Sequence, residues 1–220
     1  MQITPDLLIH AYAAGVFPMA ESRDAGELFW VDPEERGILP LDKFLPSRSL
    51  IKEVRKETFC VRYNTDFAGV LQGCAAPDID REDTWINEEI FDLFNKLHAM
   101  GHAHSVECWQ GDVLVGGLYG LAINGLFCGE SMFSRAKNAS KVALCYLVFS
   151  MVHAGFKLLD VQFTTQHLCS LGAIEISRAD YHTRLNKALD SYCDFPASAP
   201  CSSDVSDWLK QRRTQISCTG

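Results

Sequence analysis

Two polar side chains inside an apolar run are the first sign of chemistry in this sequence: Asp160 and Gln162, within residues 157–163. If the run is a strand, alternation puts Asp160 and Gln162 on one face, with Leu159, Val161 and Phe163 on the other. Polar groups that face together from a core strand need each other or a ligand as hydrogen-bond partners. The pair therefore reads either as a buried polar network or as a site. In a site, Asp160 can accept a proton, whereas the amide of Gln162 is too weakly basic and can only aim a donor. Glu130 sits at the end of a second apolar run, flanked by Phe127, Met132 and Phe133. A carboxylate in such surroundings needs a partner, which leaves a structural ion pair or a functional group.

Other clusters are weaker. Gly129-Glu130-Ser131-Met132-Phe133 imitates a nucleophile elbow, but Phe133 stands where the sharp turn needs a second glycine. A serine hydrolase is disfavoured. His98, His102 and His104 straddle a helix end and a strand start, with no cysteine or carboxylate at ligand spacing, so structural histidines fit better than a metal site. Arg48, Lys52, Arg55 and Lys56 fall at i, i+4, i+7 and i+8, on one face of a helix. That stripe is either a solvated face or a grip for phosphates. Trp85 follows an acidic loop and is either a core anchor or a stacking platform for a base.

The chain that must position these groups has 220 residues, enough for one core with a small appended lobe. No apolar run approaches the roughly 20 residues that span a bilayer, and the first residues lack a signal peptide's basic and apolar regions. A soluble cytoplasmic protein is expected. The net charge of −8 argues against general nucleic-acid coating while leaving room for a local basic face. The nine cysteines form no CxxC pair, and most lie in apolar runs, as reduced core thiols do.

Capping residues and periodicity predict helices over 6–14, 47–57, 64–74, 87–100, 138–153 and 178–189. Strands are predicted over 103–109, 113–123, 125–129, 157–163 and 173–176. Residues 16–40 read as irregular, and the tail from 193, rich in Pro, Ser and Cys, as poorly ordered. The order predicts an α+β fold with a mixed sheet, because a strand after a long crossover helix can pair in parallel. The expected organisation is a small N-terminal lobe over 1–37, a main domain over 38–192 and a tail over 193–220.

The runs GHAHSVECW (101–109), LVGGLYG (114–120), LFCGESMFS (126–134), NASKVAL (138–144), DVQ (160–162) and SLGA (170–173) together resemble the leucyl/phenylalanyl-tRNA–protein transferases. AYAAGVFPM (11–19), WVDPEERGI (30–38), SRS (47–49) and DTWI (83–86) extend the resemblance upstream, so it covers the chain to about Tyr181. It implies a domain similar to the GCN5-related N-acetyltransferase fold behind a small N-terminal lobe. It implies transfer of Leu or Phe, with leakage to Met, from aminoacyl-tRNA to a protein's N-terminal Arg or Lys. The product would pass to an adaptor and an ATP-dependent protease, and no metal or organic cofactor is implied.

Matched position by position, the resemblance makes Asp160, Gln162 and Glu130 the catalytic residues. It places the aminoacyl pocket at Leu118, Phe127, Met132, Leu144, Leu147 and Leu159, and the contact to the 3′-terminal adenosine at Trp85. Met19 stands where some members carry a tryptophan near that adenosine. The basic stripe becomes the phosphate grip. The expected chemistry is ester aminolysis: Asp160 takes a proton from the α-amine that Gln162 aims, while Glu130 either joins Asp160 in attracting a cationic acceptor or orients the donor's aminoacyl end beside Met132. An acyl-CoA transferase on the same fold would want a glycine-rich loop before the long helix, and residues 134–139 contain no glycine. A non-catalytic tRNA-binding protein would not need the three polar residues together.

Overall fold

The computed structural model describes residues 3–20, 28–76 and 86–218. In chain order its elements are α1 (Pro5–Ala13), β1 (Phe17–Ala20), β2 (Leu28–Val31), β3 (Glu35–Ile38), α2 (Arg48–Arg55), β4 (Cys60–Tyr63), α3 (Phe67–Ala75) and α4 (Glu88–Ala99). They continue with β5 (Ala103–Gln110), β6 (Val113–Ile123), β7 (Leu126–Ser134), α5 (Ala139–Ala154), β8 (Leu158–Gln162), α6 (Gln166–Cys169), β9 (Ile174–Ser177), α7 (Arg178–Leu189) and α8 (Ser202–Cys218). Strands β1 and β2 pair with each other, and the other seven form one sheet in the order β4-β5-β6-β7-β8-β3-β9. Neighbours in that sheet are antiparallel except β7 and β8, which run parallel because α5 carries the chain back between them. This is the α+β arrangement with a mixed sheet expected from the sequence.

The sheet separates two apolar layers. One holds buried residues of α2, α5 and α8 together with Leu118, Phe127 and Leu159; the other holds those of α1, α3, α4 and α7 with Cys128 and Leu158. Alternation along β7 and β8 sends neighbouring side chains to opposite layers. Helix starts follow local chemistry: Thr4, Ser47 and Asn87 accept hydrogen bonds from the backbone N–H of Leu7, Leu50 and Ile90. Two predicted caps are wrong. Asp66, not Asn64, caps α3, while Asn64 is left-handed and accepts from the backbone N–H of Ser105. Asn138 caps nothing, and Ser134 Oγ accepts from Ser140 N–H in its place.

The expected lobe boundary at 37 falls inside β3, which lies between β8 and β9 in the main sheet. Four residues are too few for periodicity to reveal that strand. Leu8, Tyr12 and Phe17 belong to the same apolar layer as the sheet, so the N-terminal segment is built into the core. The tail also departs from expectation. Phe195 stacks on His104 at 4.3 Å, and α8 buries Val205 and Leu209 completely. Its Trp208 meets the ring of Phe149 edge-on at 5.5 Å. The Pro, Ser and Cys content of the first tail residues masked the i, i+3, i+4 apolar stripe of Val205, Trp208 and Leu209 behind them.

No described helix is long and apolar enough to cross a membrane. Of the described cysteines, Cys74, Cys108, Cys128 and Cys145 are buried thiols and Cys60, Cys169 and Cys201 are exposed. Because α8 is part of the core, Leu209→Ala is expected to cost about 2–5 kcal/mol of stability, read from denaturant unfolding. A tail that merely lay on the surface would leave the midpoint unchanged.

Candidate active site

Strands β7 and β8 pair over three positions, Leu126 with Leu158, Phe127 with Leu159 and Cys128 with Asp160. Beyond these they part, β7 following β6 to Ser134 and β8 following β3. Each strand carries one surplus residue there. Gly129 and Ser131 face the consecutive residues Gly120 and Tyr119, which leaves Glu130 without an opposite number. Asp160 and Gln162 face the consecutive Ile38 and Gly37, which does the same for Val161. Bulges of this kind bend a strand and re-aim its side chains. Gly37 must be glycine, because a Cβ would stand 2.8 Å from the carbonyl carbon of Phe163. Gln162 itself is left-handed, at φ 54°, a conformation that costs a residue with a Cβ roughly 1–2 kcal/mol.

Asp160 is fully buried and fully occupied. Arg36, also buried, donates from Nε at 2.9 Å and from an Nη at 2.6 Å, one bond to each carboxylate oxygen. Tyr181 donates its hydroxyl at 2.8 Å, Gln162 its backbone N–H at 2.9 Å, and Cys128 its thiol at 3.6 Å. An ionised carboxylate has about four lone-pair sites, so nothing remains for a substrate proton. The role expected for Asp160 as proton acceptor does not fit this geometry. Its contacts make it a positioning group for the Gln162 backbone. Arg36 also donates to the Gly15 carbonyl at 2.9 Å and lies over the rings of Phe17 and Tyr181, each 4.4 Å from the guanidinium carbon.

Glu130 is different. Its Oε1 and the hydroxyl of Tyr12 are buried without a hydrogen-bond partner among the described residues. Burial pushes the Glu130 carboxyl up to about 8; Tyr12 and Arg36 pull against the shift, while the charge of Asp160 adds to it. Desolvation thus favours the neutral form of Glu130. It lines two adjoining cavities. The larger, about 290 Å³, has walls from Leu118, Met132, Leu144, Leu147 and Leu159 and an edge at Thr165, His167 and Leu168. The smaller, about 140 Å³, is lined by Phe17, Pro18, Met19 and Gln162, and shares Glu130, Val161 and Phe163 with the first. With its amide oriented to satisfy its neighbours, Gln162 donates from nitrogen to the Gly129 carbonyl at 2.8 Å, across the gap between the strands. Its oxygen is then the atom free to accept from a ligand.

The remaining sequence candidates divide. Five of the six pocket residues line the larger cavity, but Phe127 does not: its buried ring packs toward Phe195, 5.7 Å away, and fills the space above Gly120. Trp85 lies outside the described residues. Met19 lines the smaller cavity, beside Gln162. His98 stacks on Phe67 at 4.3 Å and bonds the Ala103 carbonyl, while Asn64 Nδ2 lies 3.2 Å from Nδ1 of His104. Both are packing groups. Arg48, Lys52 and Arg55 line a cleft of about 500 Å³, whereas Lys56 is the C-cap of α2 and lies outside that lining. Sequence reasoning missed Arg36, Tyr12 and Tyr181. Only Arg36 left a signal, a lone cation directly before the apolar run 37–40.

A carboxyl with a pKa raised on folding makes stability fall as pH rises from its unfolded value, near 4.3 to 4.5, to the folded value near 8. Above that window the full penalty for the buried charge is present. Glu130→Gln should remove this term, flattening Tm against pH between about 4.5 and 8 and stabilising the protein most at the alkaline end. A variant whose Tm profile parallels the parent's would show that Glu130 titrates normally.

The sequence profile described as leucyl/phenylalanyl-tRNA protein transferase matches residues 38–186, and that of the transferase's N-terminal domain matches residues 1–34. The leucyl/phenylalanyl-tRNA–protein transferase of Ruegeria sp. (strain TM1040) is 58% identical over 217 residues, covering 99% of this chain and 100% of that protein. The enzyme of that name from Rhodospirillum rubrum is 58% identical over 200 residues, covering 91% of this chain and 94% of the other. Among solved structures, L-PGS from Bacillus licheniformis matches 74% of this chain and 53% of its own at 14% identity, with a TM-score of 0.43. The chain belongs to the leucyl/phenylalanyl-tRNA–protein transferase family.

Proposed function

We propose that this protein transfers leucine or phenylalanine from aminoacyl-tRNA to the N-terminal Arg or Lys of acceptor proteins, with Glu130 as the proton-handling group. The observation that carries the reading is the position of Glu130, a half-buried residue whose Oε1 is cut off from solvent beside Tyr12, in the wall shared by an apolar cavity and a polar-edged one. The larger cavity takes the donor side chain. At about 290 Å³ it lies near the lower end of small-molecule pockets, about 300 Å³, which suits a single amino-acid side chain. The smaller cavity receives the α-amine beside Gln162, with Met19 at its edge toward the terminal adenosine.

The chemistry needs little beyond positioning and one proton. The amine nitrogen bonds the ester carbon, the bond from that carbon to the ribose oxygen breaks, and one proton moves from nitrogen to that oxygen. Positioning alone can supply several kcal/mol. An incoming α-ammonium, with a reference pKa of about 7.7–8.0, favours the ionised form of Glu130 because an opposite charge has arrived. Once ionised, Glu130 takes one proton from the ammonium and keeps it, the freed amine attacks, and the second proton that nitrogen must shed goes to the leaving ribose oxygen, so Glu130 ends neutral. Gln162 accepts from the amine and fixes its direction. The product's new apolar N-terminus is the feature an adaptor and an ATP-dependent protease would recognise, in the cytoplasm where the tRNA donor is charged.

The direct test is transfer of labelled Phe from Phe-tRNA to peptides beginning with Arg, Lys, Asp or Ala. Arg and Lys peptides should be labelled and the others refused; equal labelling of the Ala peptide would remove the electrostatic basis of the reading. Among donors, Leu and Phe should lead with some leakage to Met. One methylene in an apolar pocket is worth only about 1–3 kcal/mol. Val and Ile should transfer poorly, and equal rates for Ile-tRNA and Leu-tRNA would contradict the pocket assignment. Replacing both Arg48 and Lys52 by Ala should weaken tRNA binding and flatten its salt dependence by about 1–2 in log–log slope. An unchanged slope would make α2 a solvated face.

A further inference from the structure

The cations of α2 do not face open solvent alone. Across the 500 Å³ cleft stand Lys210, Arg213 and Thr214 of α8, with Ile51 as part of the lining and no carboxylate among the lining residues. Five cations thus surround one cleft in a chain of net charge −8. Both walls are fixed. Val205 and Leu209 anchor α8 in the core, Arg213 donates to the Pro46 carbonyl at 3.1 Å just before α2, and Ser202 Oγ bonds Glu57 just after it. Asp204 in the first turn of α8 suits the helix dipole, but no cation lies in its last turn, so the dipole does not account for Lys210 and Arg213 facing Arg48, Lys52 and Arg55. Like charges held opposite one another repel, and Asp207 offsets this only at Lys210 and Arg55. A polyanion between them reverses the sign.

We propose that α8 is a tRNA-binding element, forming with α2 a two-walled clamp on the donor's phosphate backbone. The inference rests on the reading of this protein as an aminoacyl-tRNA-dependent transferase and extends it to a helix beyond residue 186, where the family profile ends. Arginine forks and lysine ammonium groups on a rigid frame suit phosphate oxygens. The layer that backs the clamp, with Ile51, Val54, Val205 and Leu209, also contains Leu118, Leu144, Leu147 and Leu159 of the aminoacyl cavity. The clamp and the cavity therefore lie on the same side of the sheet, as one bound tRNA requires. Asp207 pairs with Lys210 at 2.6 Å, but both are exposed, so the bond holds the ammonium weakly.

The test is the affinity of deacylated tRNAPhe for the full chain, by fluorescence anisotropy between about 50 and 200 mM salt. Lys210→Ala should flatten the log–log slope by up to about 1, and Thr214→Lys, which adds a third cation to the α8 wall, should steepen it by a similar amount and tighten binding. Arg213→Ala also removes the bond to Pro46, so its effect counts only if Tm is kept. If Lys210→Ala and Thr214→Lys leave the slope at the parent value while Arg48→Ala/Lys52→Ala flattens it, α8 is packing alone and the proposal fails with the α2 grip intact. If none of the variants moves the slope, the α2 grip fails as well. Slopes that move only in the α8 variants support the clamp's α8 wall and overturn its α2 wall.

Discussion

Arg36 and Asp160 meet where no solvent reaches, and three parts of the chain depend on that meeting. Arg36 comes from β3, Asp160 from β8, and Tyr181, the third member, from α7. Through the Gly15 carbonyl the guanidinium also fixes the end of α1, the helix that supplies Tyr12 beside Glu130. Removing one member of such a pair strands the other in the core, at a cost of about 3–5 kcal/mol. Loss of transfer after a change at Asp160 would therefore report on folding before it reported on chemistry. The pair also sets the field around the site, since Arg36 offsets the charge of Asp160 that Glu130 would otherwise meet in full.

Given that anchor, the site follows from two irregular strands. One surplus residue in β7 and one in β8 fall at the level where the parallel pairing stops, and the strands open around the cavities. The features that would count as defects in a sheet are the ones that aim Glu130 and Gln162. A bulge, a left-handed glutamine and a buried acid each cost stability, and they are concentrated within a few residues of one another. The two apolar layers, continuous on either side, supply the surplus that supports them.

Much of this was legible in the sequence, and the limits have physical causes. The alternation that set Asp160 and Gln162 apart from Leu159 and Val161 depends only on the strand period, whereas the apolar walls of the cavity were implied by the family resemblance alone. The division of labour between Asp160 and Glu130 was not legible, because it depends on a partner 124 residues away. Reading Asp160 as the free carboxylate assumed that a buried acid next to an amide faces the ligand; Arg36 from a four-residue strand takes that place. The misplaced cap at Asn64 has a similar origin, since Asn64 and Asp66 both suit a cap and only the pairing of β4 with β5 decides between them. The tail was misread from composition averaged over residues that do not share a fate.

The claim on which the account turns is that Glu130 is neutral in the free protein and ionises when a cationic amine arrives, while Asp160 stays committed to Arg36. Infrared difference spectroscopy reads this directly from the C=O stretch of a protonated carboxyl. At pH 7 the account predicts a buried protonated-carboxyl band that is absent from Glu130→Gln and that is lost from the parent when an Arg-initiated peptide binds. A band that survives in Glu130→Gln, or one that the peptide leaves unchanged, would contradict it.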